Sequence, residues 1–435
     1  MFKKWMHKMW VFLTDTFWLV PGIMVLVGIV GAIALIELDR SGLLSKSLLQ
    51  GAWLYNGGGT GARTLLGTVA ASSIGVAGTV FSITIAALSL AAGQMGPRLL
   101  RNFTQDRGNQ ITLGAFLATF SYSLMVLRSV RTQEEGIFVP HLALSVSILL
   151  AFVCVGMLVY FVGHMASRIN VDTVVGLVSE DVRSAIMRLT TEDEQQGPPS
   201  DDFWAGASPI TDTRRGYLDH LDGEGLADWA ANHHASIKLL VRPGDYVFPG
   251  APIALVQHTA DDISAVGEAI QAATGLGRLR TSSDDLEYSV RQLVEVAVRA
   301  LSPGINDPHT AVSVLDRLGA SLCDVVGRNF SSGVWIRDKT PCLVVPSVNY
   351  DGLTDAMFHM IRQNAASSTA VLIRLIDVLT AVASCEPDAG RCATLARHAS
   401  LVADDARRSI GNRADLQDVL ARLDHFDAVR CGSPA

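Results

Sequence analysis

Apolar residues form four long runs before position 169, and beyond it the apolar positions become periodic instead of continuous. The runs cover residues 18–36, 65–92, 111–127 and 142–162. An α-helix needs about 20 apolar residues to cross the hydrocarbon core of a bilayer. The pattern therefore predicts four membrane-spanning helices, followed by an amphipathic stalk helix that continues the fourth one.

The second run carries a stripe of small or weakly polar residues at alternating spacings of three and four. Its members are Ser72, Gly75, Thr79, Ser82, Ala86, Ser89 and Gly93. This spacing places all of them on one face of a helix. Two interpretations stay open. Small residues allow helices to pack closely in membranes, whereas hydroxyls and exposed backbone can line a narrow, uncharged pore. The packing and the pore interpretations are compatible if the protein oligomerises through this helix.

Basic residues predict the orientation of the spans. Arginines are in excess in the loop after the second run, at Arg98, Arg101 and Arg107. Positive charge favours the cytoplasmic side, so four spans place both termini in the cytoplasm. Arg128 and Arg131 run mildly against this rule on the outer side. The loop arginines set topology, and they also suit contact with anionic lipid headgroups or with anions.

Charged residues and histidines lie only at the edges of the predicted spans, for example Glu37, Arg128 and His164. An ionisable side chain inside the membrane is the usual mark of a proton relay or an ion-coupled carrier. The pattern therefore disfavours an ion-coupled transporter. It is compatible with a passive channel, a mechanosensitive valve or a sensor.

The periodicity divides the chain into four parts. Residues 1–168 form the four-span domain, 169–213 a stalk helix and linker, 214–258 a small β element, and 259–435 a mainly helical cytoplasmic domain. The β element is similar to half of a lipoyl-type carrier domain, but Lys238 falls inside a strand, which favours a structural role. Asp284 with Glu287 predicts a capping box. A strand pair is predicted at 334–336 and 342–345.

Composition narrows the function classes. Hydrophobic residues make up 49% of the chain and the mean hydropathy is +0.31, which fits a membrane protein. The formal net charge of −7 argues against nucleic acid as a partner. No nucleophile–base pair, CxxC pair or HExxH motif occurs. We therefore expect no catalytic residues, no cofactor and no metal, and predict that the protein is not an enzyme.

A loop with unusual composition lies at residues 302–309. Ser302, Asn306, Asp307 and His309 suit a ligand-binding loop. Helix capping explains the same residues, because Asp307 can cap a helix in which Pro308 takes the first position. His220, His233 and His234 lack the spacing of a metal site, and solvated histidines are the favoured interpretation.

Two motifs resemble a family of bacterial predicted membrane proteins, catalogued as domain of unknown function 2254. The first runs through GVAGTVFSIT at 75–84, PRLLRNF at 97–103 and DRG at 106–108, and the second through RALSPGINDP at 299–308 and DRLG at 316–319. The resemblance covers most of the chain. It implies a bacterial inner-membrane protein and brings no activity with it.

These observations predict a mainly α membrane protein with four transmembrane helices followed by a cytoplasmic α+β domain, a small β element plus a helical bundle. The leading hypothesis is a homo-oligomeric channel-like pore with a cytoplasmic vestibule or gating domain. The alternative is a non-conducting scaffold or signalling module that binds a partner or ligand through its cytoplasmic domain. The expected partners are the lipid bilayer, further copies of the chain, and ions or a small ligand.

Overall fold

The computed structural model describes residues 17–41, 55, 57–96, 106–131, 138–257, 263–280 and 285–429. The chain divides into two compact units, Met1–Thr173 and Val174–Ala435. The first is helical. The second combines strands and helices, so the predicted fold class is confirmed. The four domain bounds drawn from the sequence stay predictions.

Among the described residues of the first unit, four helices are long and apolar enough to cross a membrane, as predicted. They are α1, Leu19–Ser41; α2, Gly59–Met95; α3, Arg107–Ser129; and α4, His141–Ile169. Helix α2 begins six residues before its predicted start. Its 37 residues extend about 55 Å, well beyond a hydrocarbon core of about 30 Å.

Helix α3 packs against α1, α2 and α4. The approach of α1 to α3 depends on glycine. A Cβ added to Gly28 would lie 2.9 Å from the carbonyl oxygen of Ala118, and one added to Gly114 would lie 3.2 Å from Cα of Pro21. Both of these neighbours are backbone atoms, so a side chain at either glycine would force the two helices apart.

We therefore expect Gly28→Val to destabilise the first unit by about 1–3 kcal/mol through overpacking. Gly31→Val is the matched control, because it makes the same change one turn away and no described atom lies within 4 Å of its added Cβ. Thermal unfolding of the purified chain in detergent measures the difference. Equal midpoints for the two variants would contradict the close contact of α1 with α3.

Helix α5, Val171–Leu189, is a separate helix and not the predicted continuation of α4. The break lies at Asn170, whose extended ψ of 122° ends α4. Its side-chain oxygen then accepts a hydrogen bond from the backbone N of Asp172 at 2.9 Å. The apolar stripe of α5 is present, with Val174, Val178 and Ile186 buried.

The described part of the second unit contains ten short strands. They are β1, Thr190–Thr191; β2, Ser208–Thr211; β3, Gly216–Leu221; β4, Ser236–Leu239; β5, Tyr246–Val247; β6, Pro252–Gln257; β7, Thr274–Gly277; β8, Asn329–Phe330; β9, Val334–Arg337; and β10, Thr340–Val344. One sheet has the order β2-β6-β4-β10-β9 and another the order β5-β3-β7, while β1 pairs with β8. Strand β2 lies in the segment that the sequence analysis assigned to a stalk and linker.

The predicted pair at 334–336 and 342–345 is confirmed as the hairpin β9–β10. Asp338 and Lys339 both have positive φ, which suits the two-residue turn between them. Strand β10 also pairs in parallel with β4, which joins this hairpin to the β element. Lys238 lies within β4, as predicted.

Eight helices complete the described part of this unit. They are α6, Gly223–Asn232; α7, Ile263–Ala273; α8, Leu286–Ala300; α9, Pro308–Cys323; α10, Tyr350–Asn364; α11, Thr369–Cys385; α12, Ala389–Ser409; and α13, Arg413–Val429. The predicted cap of α8 was wrong by one residue. Asp285 is the N-cap and accepts from the backbone N of Tyr288 at 3.0 Å. Glu287 instead pairs with Arg242 and Arg291.

Candidate functional site

The small-residue stripe of α2 lies on a face that the rest of the chain leaves uncovered. All seven predicted members, from Ser72 to Gly93, are exposed. No described atom would touch a Cβ added to Gly75 or Gly93 within 4 Å. The stripe therefore does not serve helix packing within the chain, as far as the described residues show.

The opposite face of α2 does that packing. Its buried positions are Ala62, Leu66, Ala70, Ser73, Ala77, Val80, Ala87 and Ala91. At about 100° per residue, the centre of this row lies about 200° around the helix axis from the centre of the stripe. The helix thus has one face toward its own bundle, while the stripe lies on the side directed away from it, beside exposed apolar residues such as Ile83 and Leu90.

The uncovered surfaces of α1 and α4 in the same unit look different. The uncovered positions of α1 and α4 carry large apolar side chains, among them Leu26, Val27, Phe152 and Val159. Such residues suit contact with acyl chains, whereas glycine, serine and threonine are typical of helix interfaces in membranes. The stripe also continues at Thr64 and Thr68, so it follows α2 over much of its length.

Hydroxyl groups on the stripe bond back to their own helix. Oγ1 of Thr79 donates to the carbonyl oxygen of Gly75 at 3.2 Å, and Oγ of Ser82 donates to that of Gly78 at 2.9 Å. Each hydroxyl oxygen keeps lone pairs for another donor or for a cation. The stripe therefore carries no charge, and the hydroxyl protons of Thr79 and Ser82 are already used in bonds within the helix.

The Asp, Glu, Arg and His residues of α1 to α4 lie within six residues of a helix end in the described parts of these helices. The arginines Arg98 and Arg101, predicted to contact lipid or anions, lie outside the described residues. Arg107 is the first residue of α3. Its predicted contact with lipid or anions stays a prediction.

A polar cluster that the sequence analysis missed joins α3 to α4. Asp106 caps α3, accepting from the backbone N of Gly108 at 2.8 Å. Its other carboxylate oxygen lies 2.7 Å from Nε2 of His164 and 3.1 Å from Nε of Arg168. This buried carboxylate has a charge partner and hydrogen bonds to each of its oxygens, which is what stabilises a buried charge. The cluster holds two helix ends together.

Capping residues account for the loop at 302–309. Asp307 is the N-cap of α9, with Oδ1 accepting from the backbone N of Thr310 at 3.2 Å and Oδ2 from its hydroxyl at 2.6 Å. These bonds lower the pKa of Asp307. Ser302 donates to the carbonyl oxygen of Arg299, and Asn306 takes a left-handed φ of 50°. The capping interpretation is confirmed, and ligand binding by this loop, including exposed His309, stays a prediction.

The three histidines considered for metal binding have other surroundings. His233 stacks on Trp229 with ring centroids 4.1 Å apart, and its Nδ1 lies 2.8 Å from the carbonyl oxygen of Trp229. His220 lies in β3, and His234 follows α6 with a φ of 50°. Among the described residues, a different group brings its side chains together: Asp355, His359 and His398.

Comparison with known proteins places these features in a family context. The family model described as Predicted membrane protein (DUF2254) matches residues 14–381. Relatives include the uncharacterized proteins MT1328 and Rv1290c of Mycobacterium tuberculosis and Mb1321c of Mycobacterium bovis. Each is 30% identical over 423 residues, which cover 94% of this chain and 80% of the relative. No solved structure matches the chain.

Proposed function

The chain belongs to the family of predicted membrane proteins called DUF2254, and from that premise we propose that its copies assemble into a channel-like pore. The exposed stripe of α2 faces the axis of the assembly. The bilayer is a bacterial inner membrane, both termini lie in the cytoplasm, and the second unit serves as vestibule or gate. The proposal includes no catalytic step.

One observation supports this function above all. Every member of the stripe, from Ser72 to Gly93, is uncovered in the single chain and carries a small or hydroxyl side chain. A lipid-facing surface would gain more from large apolar residues, as on α4. A second copy of α2, or water, is the better match for a row of Gly, Ser, Thr and Ala.

The edge positions of the ionisable residues limit what such a pore does. No fixed charge stands in the middle of the described helices, so selectivity by a charged ring is not part of the proposal. Hydroxyl oxygens and backbone carbonyls are the polar groups that the stripe presents to the pathway. They suit a passive pathway for small ions or neutral polar solutes.

The alternative function is a non-conducting scaffold or signalling module. The same stripe supports it, because small residues let α2 helices of two copies approach closely. In that case the helices meet in a dry contact and leave no path for water. The second unit then binds a partner or ligand.

Thiol accessibility distinguishes the two functions. The purified chain is inserted into planar bilayers, and a charged thiol reagent is added to Ser82→Cys. We expect conductance from the parent protein and a severalfold fall on modification at position 82, because a charge now stands in the pathway. The parent protein, with its own six cysteines, is the reagent control.

Phe81→Cys is the matched control variant. Phe81 is adjacent in sequence, but it is not a member of the stripe, and its ring lies 6.2 Å from that of Trp18, which directly precedes α1. Its modification is expected to leave the current unchanged. A protein that never conducts, or one that responds equally at both positions, would overturn the pore and favour the scaffold.

A further inference from the structure

We infer that Asp355, His359 and His398 form a binding site for a divalent transition-metal ion of the zinc type, which ties α10 to α12. This site lies within the second unit and is independent of the pore proposal. Asp355 and His359 stand one turn apart on α10, and His398 projects from α12. The three candidate ligand atoms all lie within 4.8 Å of one another.

The distances fit a bound metal after a small expansion. Oδ1 of Asp355 lies 3.0 Å from Nε2 of His359 and 3.1 Å from Nε2 of His398. Zinc bonds of about 2.0–2.1 Å at tetrahedral angles place ligand atoms about 3.3 Å apart. The two distances from Asp355 therefore need to widen by only about 0.2–0.3 Å to match this spacing, and the two histidine ligand atoms lie within 4.8 Å of each other.

Burial prepares one ligand and leaves the others accessible. The side chain of His398 is 1% exposed, so its imidazole is held in place inside the packed interface of α10 and α12. The side chains of Asp355 and His359 are 40% and 32% exposed. Solvent thus reaches the site from one side, and a water can complete the coordination of three protein ligands.

The ligand set indicates the class of ion. Imidazole nitrogens suit zinc, copper, iron and nickel, whereas magnesium and calcium prefer oxygen ligands. Two histidines and one carboxylate therefore favour a first-row transition ion. Zn²⁺ is the ion we commit to, because three ligands with one open position is one of its common arrangements.

Two features set the expected strength of binding. Nδ1 of His359 is buried and has no hydrogen-bond partner among the described residues. Missing outer-sphere bonds of this kind typically weaken a metal site about 10–100-fold. Nη2 of Arg397 also lies 2.6 Å from Oδ1 of Asp355 and 3.5 Å from Nε2 of His398. We therefore expect a dissociation constant in the micromolar range and not in the nanomolar range, because the missing bond alone weakens binding about 10–100-fold.

Substitution of Arg397 is expected to change metal affinity in the direction opposite to substitution of a ligand. Its side chain is 43% exposed and can turn to solvent, and its positive charge repels a metal ion at the carboxylate. Removing it in Arg397→Gln is expected to tighten binding by about tenfold through lost repulsion. Asp355→Asn and His359→Gln are expected to weaken binding by about tenfold or more through loss of a ligand.

The experiment uses the full chain in detergent, without a histidine tag and stripped with a chelator. Co²⁺ is added as a spectroscopic probe and then displaced with Zn²⁺. The expected result is one Co²⁺ per chain with the intense visible absorption of tetrahedral coordination, lost in Asp355→Asn and His359→Gln and strengthened in Arg397→Gln. His425→Gln, at an exposed histidine of α13, is expected to bind like the parent protein.

Several outcomes would overturn the site. One is no saturable Co²⁺ binding by the parent protein. Another is binding that His359→Gln and Asp355→Asn leave unchanged. A third is weaker binding in Arg397→Gln, because that would make Arg397 a supporting residue and contradict charge competition. His359→Gln changes a partly exposed residue, so its thermal midpoint, measured alongside, shows whether the fold is intact.

Discussion

A chain carrying both Thr79→Leu and Ser82→Leu is expected to conduct at least about tenfold less than the parent protein, for which an added barrier of about 1.4 kcal/mol suffices. The two positions lie on the uncovered stripe of α2. Each substitution replaces a hydroxyl by a branched apolar group, and symmetry repeats it in every copy. A ring of leucines narrows the path and expels water, as apolar constrictions do in channels.

The matched control places similar changes on the lipid side. Val153→Leu and Val159→Leu add one methylene group each at positions of α4 that the chain leaves uncovered. We expect their conductance to equal that of the parent protein. Single-channel current in planar bilayers gives the comparison, and equal insertion is checked by the amount of protein recovered with the lipid.

The outcome also separates the pore from the scaffold. If the double variant conducts like the parent protein, the stripe does not line the path. If neither protein conducts and the double variant falls from oligomer to monomer in size-exclusion chromatography, the stripe is a packing surface between copies. Thr79→Ser, which keeps the hydroxyl, is expected to conduct normally under the pore hypothesis.

Local sequence pattern was sufficient for the helices of the first unit. Continuous apolar runs predict spans because the bilayer demands length and apolarity in one segment. Capping preferences, which are also local, placed Asp307 and Pro308 correctly at the start of α9. The ends of the helices were predicted less accurately than the helices themselves. Helix α2 starts at Gly59, and Asn170 separates α5 from α4 through a side-chain bond that periodicity does not reveal.

Contacts distant in sequence were beyond this approach. The stripe on α2 was recognised, but whether it faced another helix of the chain depends on where α3 and α4 pack. The pairing of β10 with β4 links residues far apart along the chain. The Asp355–His359 spacing was a signal in the sequence, since these residues share a helix face. His398 joins them only through the packing of α10 on α12.

The same pair of helices contains the buried ion pair of Arg362 with Asp405. Their side chains are 10% and 11% exposed, and Arg408 also bonds to the carboxylate of Asp405. We expect Asp405→Ala to destabilise the second unit by about 3–5 kcal/mol, because it leaves the Arg362 charge buried without its partner. Nε of Arg362 already has no hydrogen-bond partner among the described residues.

The adjacent residue supplies the control. Asp404 makes a similar i,i+3 pair with Arg407 at 2.8 Å, but both side chains are about half exposed. Exposed pairs contribute about 0–1 kcal/mol, so Asp404→Ala is expected to behave almost like the parent protein. Thermal unfolding of the full chain in detergent measures both variants. The larger loss corresponds to a midpoint lower by about 10 °C for a unit of this size.

Replacing both partners tests the cause of the loss. Arg362→Met combined with Asp405→Leu removes the buried charges together, and apolar substitutes for a buried pair are often neutral or stabilising. We therefore expect the double variant to be more stable than Asp405→Ala alone. If it is less stable, the loss comes from the cavity and not from an unpaired charge. If Asp404→Ala and Asp405→Ala lower the midpoint equally, burial of this pair does not contribute to the stability of α10 against α12.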